Sequence, residues 1–171
     1  DLTLDRVRLT GQVSDVYDSG RVIAQASGGS AKHEVGLWLT HLALRAAEVV
    51  APIRSTLVRK KGGGAEVISL GTTMSPQEAK GHLQAILSDY RRGQEIPLCF
   101  FPQTSKAYAL SLYEAEEDKE RESKEAVALV KAEEAWRSEP GAEASDPYNL
   151  TLHQGAAPFS PGYTLVEVSE R

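Results

Sequence analysis

The N-terminal part of the chain alternates strand-like segments with one helical stretch. Apolar residues fall at alternate positions in parts of residues 2–18, with a break near Gly11, which favours strands. Residues 18–20 predict a turn, and residues 21–26 predict a second strand that forms a β-hairpin with the first. Apolar residues at three- and four-residue steps then predict a deeply buried helix over residues 32–50. Pro52 ends this predicted helix. Its apolar face comprises Val35, Trp38, Leu39, Leu42, Ala46 and Val49, and Leu37 and Leu44 widen it.

A second hairpin and a second helix follow. Residues 56–61 and 66–70 flank three glycines, so they predict two strands joined at a glycine tip. The Ser-Pro-Gln-Glu motif at 75–78 combines an N-cap, a first-turn proline and a capping box, which predicts a helix start. Arginines 91–92 lie in its last turn and Gly93 is the predicted C-terminal cap. The predicted buried stripe comprises Ala79, Leu83, Ile86, Leu87 and Tyr90.

The C-terminal part is mainly helix-forming. The apolar segment 97–102 is bounded by prolines and predicts a buried connector. Residues 105–138 predict two helices divided near 118–123, and residues 146–148 open a final segment. The placement of residues 156–171 is left open.

This order of elements predicts an α/β fold with a mixed sheet of four or five strands flanked by helices. A length of 171 residues suits one domain, so residues 1–171 are interpreted as a single domain. Because the chain begins with Asp1 and has no signal segment, we interpret it as a fragment of a longer protein.

Composition and charge exclude several classes of protein. Hydrophobic residues make up 41% and charged residues 25%, which is typical of a globular protein. No apolar run of 18 residues exists, so no membrane association is expected. Cys99 is the only cysteine, which excludes an internal disulfide and a cysteine-based zinc site, fits a reducing cytoplasmic compartment, and predicts a small buried side chain. The net charge of −5 excludes a protein that binds nucleic acid through global positive charge.

The first hairpin and helix resemble the core of the PD-(D/E)XK nucleases. The matching segments are residues 9–14 (LTGQVS), 20–28 (GRVIAQASG) and 34–38 (EVGLW). This resemblance implies a restriction-endonuclease-like fold, in which carboxylates hold a divalent cation that, with a lysine, activates water against a phosphodiester.

The positions that carry this chemistry in the family hold other residues here. The resemblance places the first metal-binding aspartate at Ser14, the second acid at Ala24, the lysine at Ala26 and the helix glutamine at Glu34. The aromatic residue that follows this glutamine in the family's helix motif falls at Trp38. It therefore implies an inactive site with no catalytic residue, no metal and no cofactor.

Later motifs are similar to the RecC C-terminal domain family. They are the W-x-x-H-L helix within residues 37–44, G-x-x-x-P-L at 93–98, Ala-Trp at 135–136 and Asp-Pro-Tyr at 146–148. Together with the nuclease-like segments they span residues 7–155. The resemblance implies a non-catalytic domain of a RecBCD helicase–nuclease, which processes double-strand breaks for recombination. RecB-like and RecD-like partners would then hydrolyse ATP and cleave DNA, while this subunit scaffolds them and guides the strands.

Two other hypotheses stay open. An active metal-dependent nuclease could take its acids from Asp15, Asp18 and Glu34, although strand alternation would point Asp15 away from the side that Ser14 faces. The alternative is a protein-interaction module on the same fold with no role on DNA.

Basic and aromatic side chains offer the remaining candidates. The candidate DNA-binding residues are Arg54, Arg59, Lys60 and Lys61. A solvated hairpin edge explains the same charges, since lysine on an edge strand also blocks aggregation. Trp38 and His41, one helical turn apart, are interpreted as a core tryptophan and a hydrogen-bonded histidine.

Overall fold

The computed structural model has an α/β architecture with a mixed four-stranded sheet and a separate two-stranded sheet. It describes residues 1–28, 30–48, 54–114, 121–138, 142–154 and 156–159. The chain divides into two compact units, residues 1–98 (unit 1) and residues 99–171 (unit 2). The predicted fold class is confirmed, while the nuclease-like core and the single domain stay predictions.

The first nine residues form their own small hairpin. Strand β1 (Leu2–Leu4) pairs antiparallel with β2 (Val7–Leu9). The chain reverses at Asp5, which has φ +51°, in the left-handed region. The prediction that residues 2–18 contribute their apolar positions to one hairpin strand is therefore wrong, because this turn separates them into shorter pieces.

The main sheet has the strand order β3–β4–β5–β6. Its strands are β3 (Val16–Tyr17), β4 (Gly20–Gly28), β5 (Ser55–Lys61) and β6 (Gly64–Leu70). Pairing is antiparallel between β3 and β4 and between β5 and β6, and parallel between β4 and β5. The glycine-tipped hairpin is confirmed, and the first predicted hairpin is present with only two residues in its first strand.

Helix α1 (Ala31–Ala47) connects the parallel strands and covers one face of the sheet. Its Thr40 side chain contacts Arg21 of β4, and its His41 contacts Ser55 of β5. Side chains alternate between the two faces of a strand, so these two contacts identify which strand residues face α1. These residues are Arg21, Ile23 and Gln25 of β4 and Ser55, Leu57 and Arg59 of β5.

The buried face of α1 is rotated relative to the predicted apolar face. Leu37, Leu42 and Ala46 are buried, whereas Trp38 is half-buried at the margin of the core. A sheet beneath the helix accounts for the rotation, because Leu37 and His41 point toward it. Val49 and Pro52 lie outside the described residues.

Helix α2 (Pro76–Gly93) begins at the predicted capping box and ends differently from the prediction. The Ser75 Oγ atom accepts a hydrogen bond from the Glu78 N–H at 3.2 Å. Gly93 is still helical, and Gln94, in the right-handed region, is the cap. The chain needs no left-handed glycine here, because the N–H groups of Gln94 and Glu95 continue to bond the carbonyls of the last turn. Tyr90 is 64% exposed, so its predicted burial is wrong.

Unit 2 contains α3 (Pro102–Glu114), α4 (Arg121–Trp136) and α5 (Pro147–His153), with a 3₁₀ turn at Glu143–Ser145. The predicted division into two helices is confirmed, and residues 115–120 lie outside the described part. Trp136 is fully buried, with the Phe101 ring centroid 4.7 Å from its own. No helix in the described ranges is long and apolar enough to cross a membrane.

The predicted burial of the proline-bounded connector is wrong. Cys99 and Phe100 are exposed, and of the six residues only Phe101 is buried. Phe101 is the residue of this segment that packs on Trp136, with the two ring centroids 4.7 Å apart.

A distant carboxylate completes the start of α3. The Glu143 side chain accepts hydrogen bonds from the N–H groups of Gln103 at 3.0 Å and Thr104 at 2.9 Å. These donors have no partner within the helix, so Glu143 supplies the cap.

Candidate functional site

Ser14 lies in an irregular, exposed segment between β2 and β3. Its Oγ atom donates a hydrogen bond to the neighbouring Asp15 Oδ2 at 2.8 Å. Asp15 has φ +60°, in the left-handed region. The prediction that strand alternation separates these two side chains is therefore wrong, because neither residue belongs to a strand.

The other degenerate positions do not converge on one place. Ala24 is exposed on β4 and alternates with Ile23 and Gln25, so it lies on the face opposite α1. Ala26 is also exposed, beside a register shift that follows Gln25. Glu34 lies on α1, so the sheet separates it from Ala24.

Arg21 is a residue that the sequence analysis missed. Its Nε atom donates to the Ser14 carbonyl at 3.1 Å and its Nη1 atom donates to Thr40 Oγ1 at 2.6 Å. Burial lowers the pKa of Arg21, and the Asp15 charge partly opposes that shift. A buried guanidinium thus ties the segment around Ser14 to α1.

Arg59 is held by two carboxylates from different elements. Its Nη1 atom lies 2.9 Å from Glu34 Oε1, and its Nη2 atom lies 2.6 Å from Glu66 Oε2. Burial alone would lower the pKa of Arg59, but its hydrogen bonds and charge interactions with Glu66 and Glu34 outweigh burial and raise it. The Arg59 side chain is only 10% exposed, so it links α1 to the β5–β6 hairpin and is not displayed to a ligand.

Lys61 completes this ion-pair network. It bonds Glu66, and the hydrogen bonds from Lys61 and Arg59 together lower the pKa of the Glu66 carboxyl. Two of the four candidate DNA-binding cations are therefore already paired within the hairpin.

The two other candidate cations lie at opposite ends of β5. Arg54 precedes the strand and Lys60 is near its far end, and both are exposed. Six residues of extended chain separate them by about 20 Å. The structure thus does not bring the four cations together in one surface patch.

His41 has the structural role that the sequence analysis assigned to it. It is buried, and its Nδ1 atom lies 3.0 Å from Ser55 Oγ. Burial and the nearby Arg45 charge lower the pKa of His41, and a hydrogen bond with the Gly71 backbone opposes them. Trp38 packs at the core margin, with its ring centroid 5.9 Å from that of His82.

Within the described ranges, no three His, Cys, Asp or Glu side chains come close enough to hold a metal ion. Comparison with known families adds a decisive finding, since the family model of the RecC C-terminal domain matches residues 1–113. The chain belongs to the RecC C-terminal domain family. The match covers all of unit 1 and most of α3. No curated protein matches the chain significantly.

Membership of the RecC family makes this a domain of a subunit that works in a multi-subunit complex. The residues that the sequence analysis missed, Arg21 and Glu66, both stabilise unit 1 through buried or paired charges. The sequence did contain a signal for Glu66, since a two-residue turn places it directly opposite Arg59.

The buried histidine predicts how this RecC-family domain responds to pH. The pKa of His41 is depressed in the folded state, so below about pH 6.5 the unfolded chain binds the proton more readily. The stability contributed by neutral His41 is present above that pH and is lost as the pH falls. Urea melts between pH 7.5 and pH 5 should show falling stability.

Burial also lowers the pKa of His153 in unit 2, so a melt of the whole chain would combine the effects of both histidines. The effect of His41 therefore needs a measurement that is confined to its surroundings. Amide exchange in β5 reports on His41. The His41→Gln variant should show a smaller acid-induced rise in β5 exchange than the native chain. Equal pH dependence in both would contradict the assignment.

Proposed function

We propose that this chain is a non-catalytic structural domain of the RecC subunit of a RecBCD-type helicase–nuclease, in the repair of double-strand breaks and homologous recombination. It scaffolds RecB-like and RecD-like subunits and guides DNA strands between them, in the cytoplasm. ATP hydrolysis and DNA cleavage belong to those partners. Support comes from the family match and from the chemistry of the residues at the nuclease positions.

One observation carries the non-catalytic proposal: arginines of the chain lie beside two of the three carboxylates that an active nuclease would use. The guanidinium of Arg59 pairs with Glu34, and that of Arg21 lies against the Ser14 carbonyl close to Asp15. A divalent cation held by Asp15 or Glu34 would face a fixed positive charge at short range. Asp15 and Glu34 thus each lie near a cation of the chain itself, which argues against the active-nuclease hypothesis.

The expected result in a cleavage assay is therefore no activity. The full chain, incubated with linear DNA and Mg²⁺ or Mn²⁺, should cut no faster than the same preparation carrying Asp15→Asn or Glu34→Gln. Metal-dependent cleavage that either substitution removes would overturn the proposal. Asp18→Asn is included, because Asp18 is the third acid of the active-nuclease hypothesis.

The hypothesis of a protein-interaction module with no role on DNA differs from the scaffold proposal in the partners that the chain should bind. Mixing the chain with RecB-like and RecD-like chains and measuring complex mass by light scattering tests the scaffold proposal. A stable complex supports a subunit role, and the absence of binding to both chains contradicts it. DNA affinity of the free chain is not the deciding measurement, since Arg59 and Lys61 are already paired.

A further inference from the structure

The two edges of the main sheet differ in how they are protected. Strand β3 at one edge has two residues, and short edge strands resist pairing with other chains. Strand β6 at the other edge has seven residues and pairs only with β5 among the described elements. The β6 edge is thus long enough to accept another strand.

The hairpin geometry identifies which backbone groups of β6 do not pair with β5. Lys61 and Gly64 flank a two-residue turn, in which Gly62 has φ +57°. The pair that closes such a turn exchanges both hydrogen bonds, and antiparallel pairs alternate from there. The N–H and C=O groups of the alternate residues therefore point away from β5. These residues are Ala65, Val67 and Ser69.

Strand β6 lacks the residue types that commonly protect an edge strand. The strand contains no lysine or proline, and its one charged residue, Glu66, is bound to Arg59 and Lys61. Val67 is 62% exposed at the middle of the edge. On the same face of the sheet, Ala24 of β4 and Val22, which is 42% exposed, continue this apolar surface.

We propose that the β6 edge binds an extended segment of a partner subunit, which pairs with it as an added strand. This inference rests on the proposed scaffold function. A row of N–H and C=O groups that point away from β5 is complementary to the backbone of another strand, which fixes the class of ligand as extended polypeptide. Apolar side chains at alternate positions of that segment would cover Val67, and an acidic residue near the hairpin tip would complement the exposed Lys60.

Amide hydrogen exchange tests the proposal directly. In the isolated chain, the amides of Ala65, Val67 and Ser69 should exchange rapidly, whereas those of Glu66 and Ile68 are protected by β5. In the complex with the RecB-like and RecD-like chains, the three outward amides should become at least tenfold slower. A complex in which they still exchange rapidly would overturn this inference and leave the scaffold function intact.

A matched pair of variants separates backbone pairing from side-chain packing. Val67→Pro removes the outward N–H, whereas Val67→Ala keeps it. We expect Val67→Pro to weaken complex formation about tenfold or more and Val67→Ala to weaken it much less. Retained protection of Glu66 and Ile68 shows that the hairpin still folds, and Val67→Lys, which also blocks an edge, serves as a second variant.

Other occupants of the edge give distinct results. Slow exchange of the three outward amides in the monomeric isolated chain would overturn the proposal, because the edge would already be filled. Protection that rises with concentration, together with a dimer mass, would assign the edge to a second copy of this chain and also overturn it. Failure to form any complex would contradict the scaffold function itself.

Discussion

Replacing Gly20 by alanine is expected to destabilise unit 1 severely. Gly20 has φ +128°, and a Cβ atom there would lie 2.3 Å from the Arg54 carbonyl oxygen. That carbonyl accepts the Arg21 N–H at 2.8 Å, where the parallel pairing of β4 and β5 begins. The backbone conformation costs about 1–3 kcal/mol for any other residue, and the overpacking adds about 1–3 kcal/mol.

Urea melts measure this loss, and Gly63→Ala is the matched control. Gly63 lies in the turn between β5 and β6 of unit 1 and lacks a positive φ, and a methyl group added to it would meet no atom within 4 Å. Its substitution should leave the midpoint nearly unchanged. If the Gly20→Ala and Gly63→Ala midpoints coincide, the close approach of β4 to Arg54 is wrong.

Truncating Trp136 should have the largest effect on unit 2. Its side chain is 0% exposed and packs edge-on against Phe101, His153 and Phe159. Removing a buried tryptophan costs about 3–5 kcal/mol through lost burial and the remaining cavity. A single domain has only about 5–15 kcal/mol in total, so Trp136→Ala should remove a large share of the stability of unit 2.

Two further variants sharpen the Trp136 test. Trp38 is half-buried, so Trp38→Ala should cost less than Trp136→Ala. The Trp136 Nε1 atom is buried with no hydrogen-bond partner in the described part of the chain. Trp136→Phe removes this unpaired donor and should recover part of the loss. Amide exchange in α4 gives the local readout, and greater damage from Trp38→Ala would contradict the packing described here.

Local signals in the sequence predicted α1, the start of α2 and the second hairpin well. The capping box at Ser75 fixed the start of α2, and the glycines after Lys61 fixed the hairpin tip, because both depend on residues a few positions apart. The helical period also located α1 to within a few residues.

The parts that failed depend on distant contacts. Periodicity could not show that a sheet beneath α1 turns Leu37 and His41 inward and leaves Trp38 at the margin. The pairing of Arg59 with Glu34 joins residues on different elements, which no local pattern reveals. Motif spacing assigned Ala24 and Glu34 to one site, whereas the pleat of β4 places them on opposite sides of the sheet.

The capping of α3 by Glu143 has a consequence for synthesis on the ribosome. The carboxylate lies 40 residues after the Gln103 N–H that it caps. At translation rates of about 5–20 residues per second, the first turn of α3 leaves the ribosome about 2–8 seconds before Glu143 does. Until then its N–H groups depend on water, and the isolated helix is too short to be stable alone. We therefore expect α3 to acquire its final structure only late in synthesis, after Glu143 and the residues that pack on Trp136 have left the ribosome.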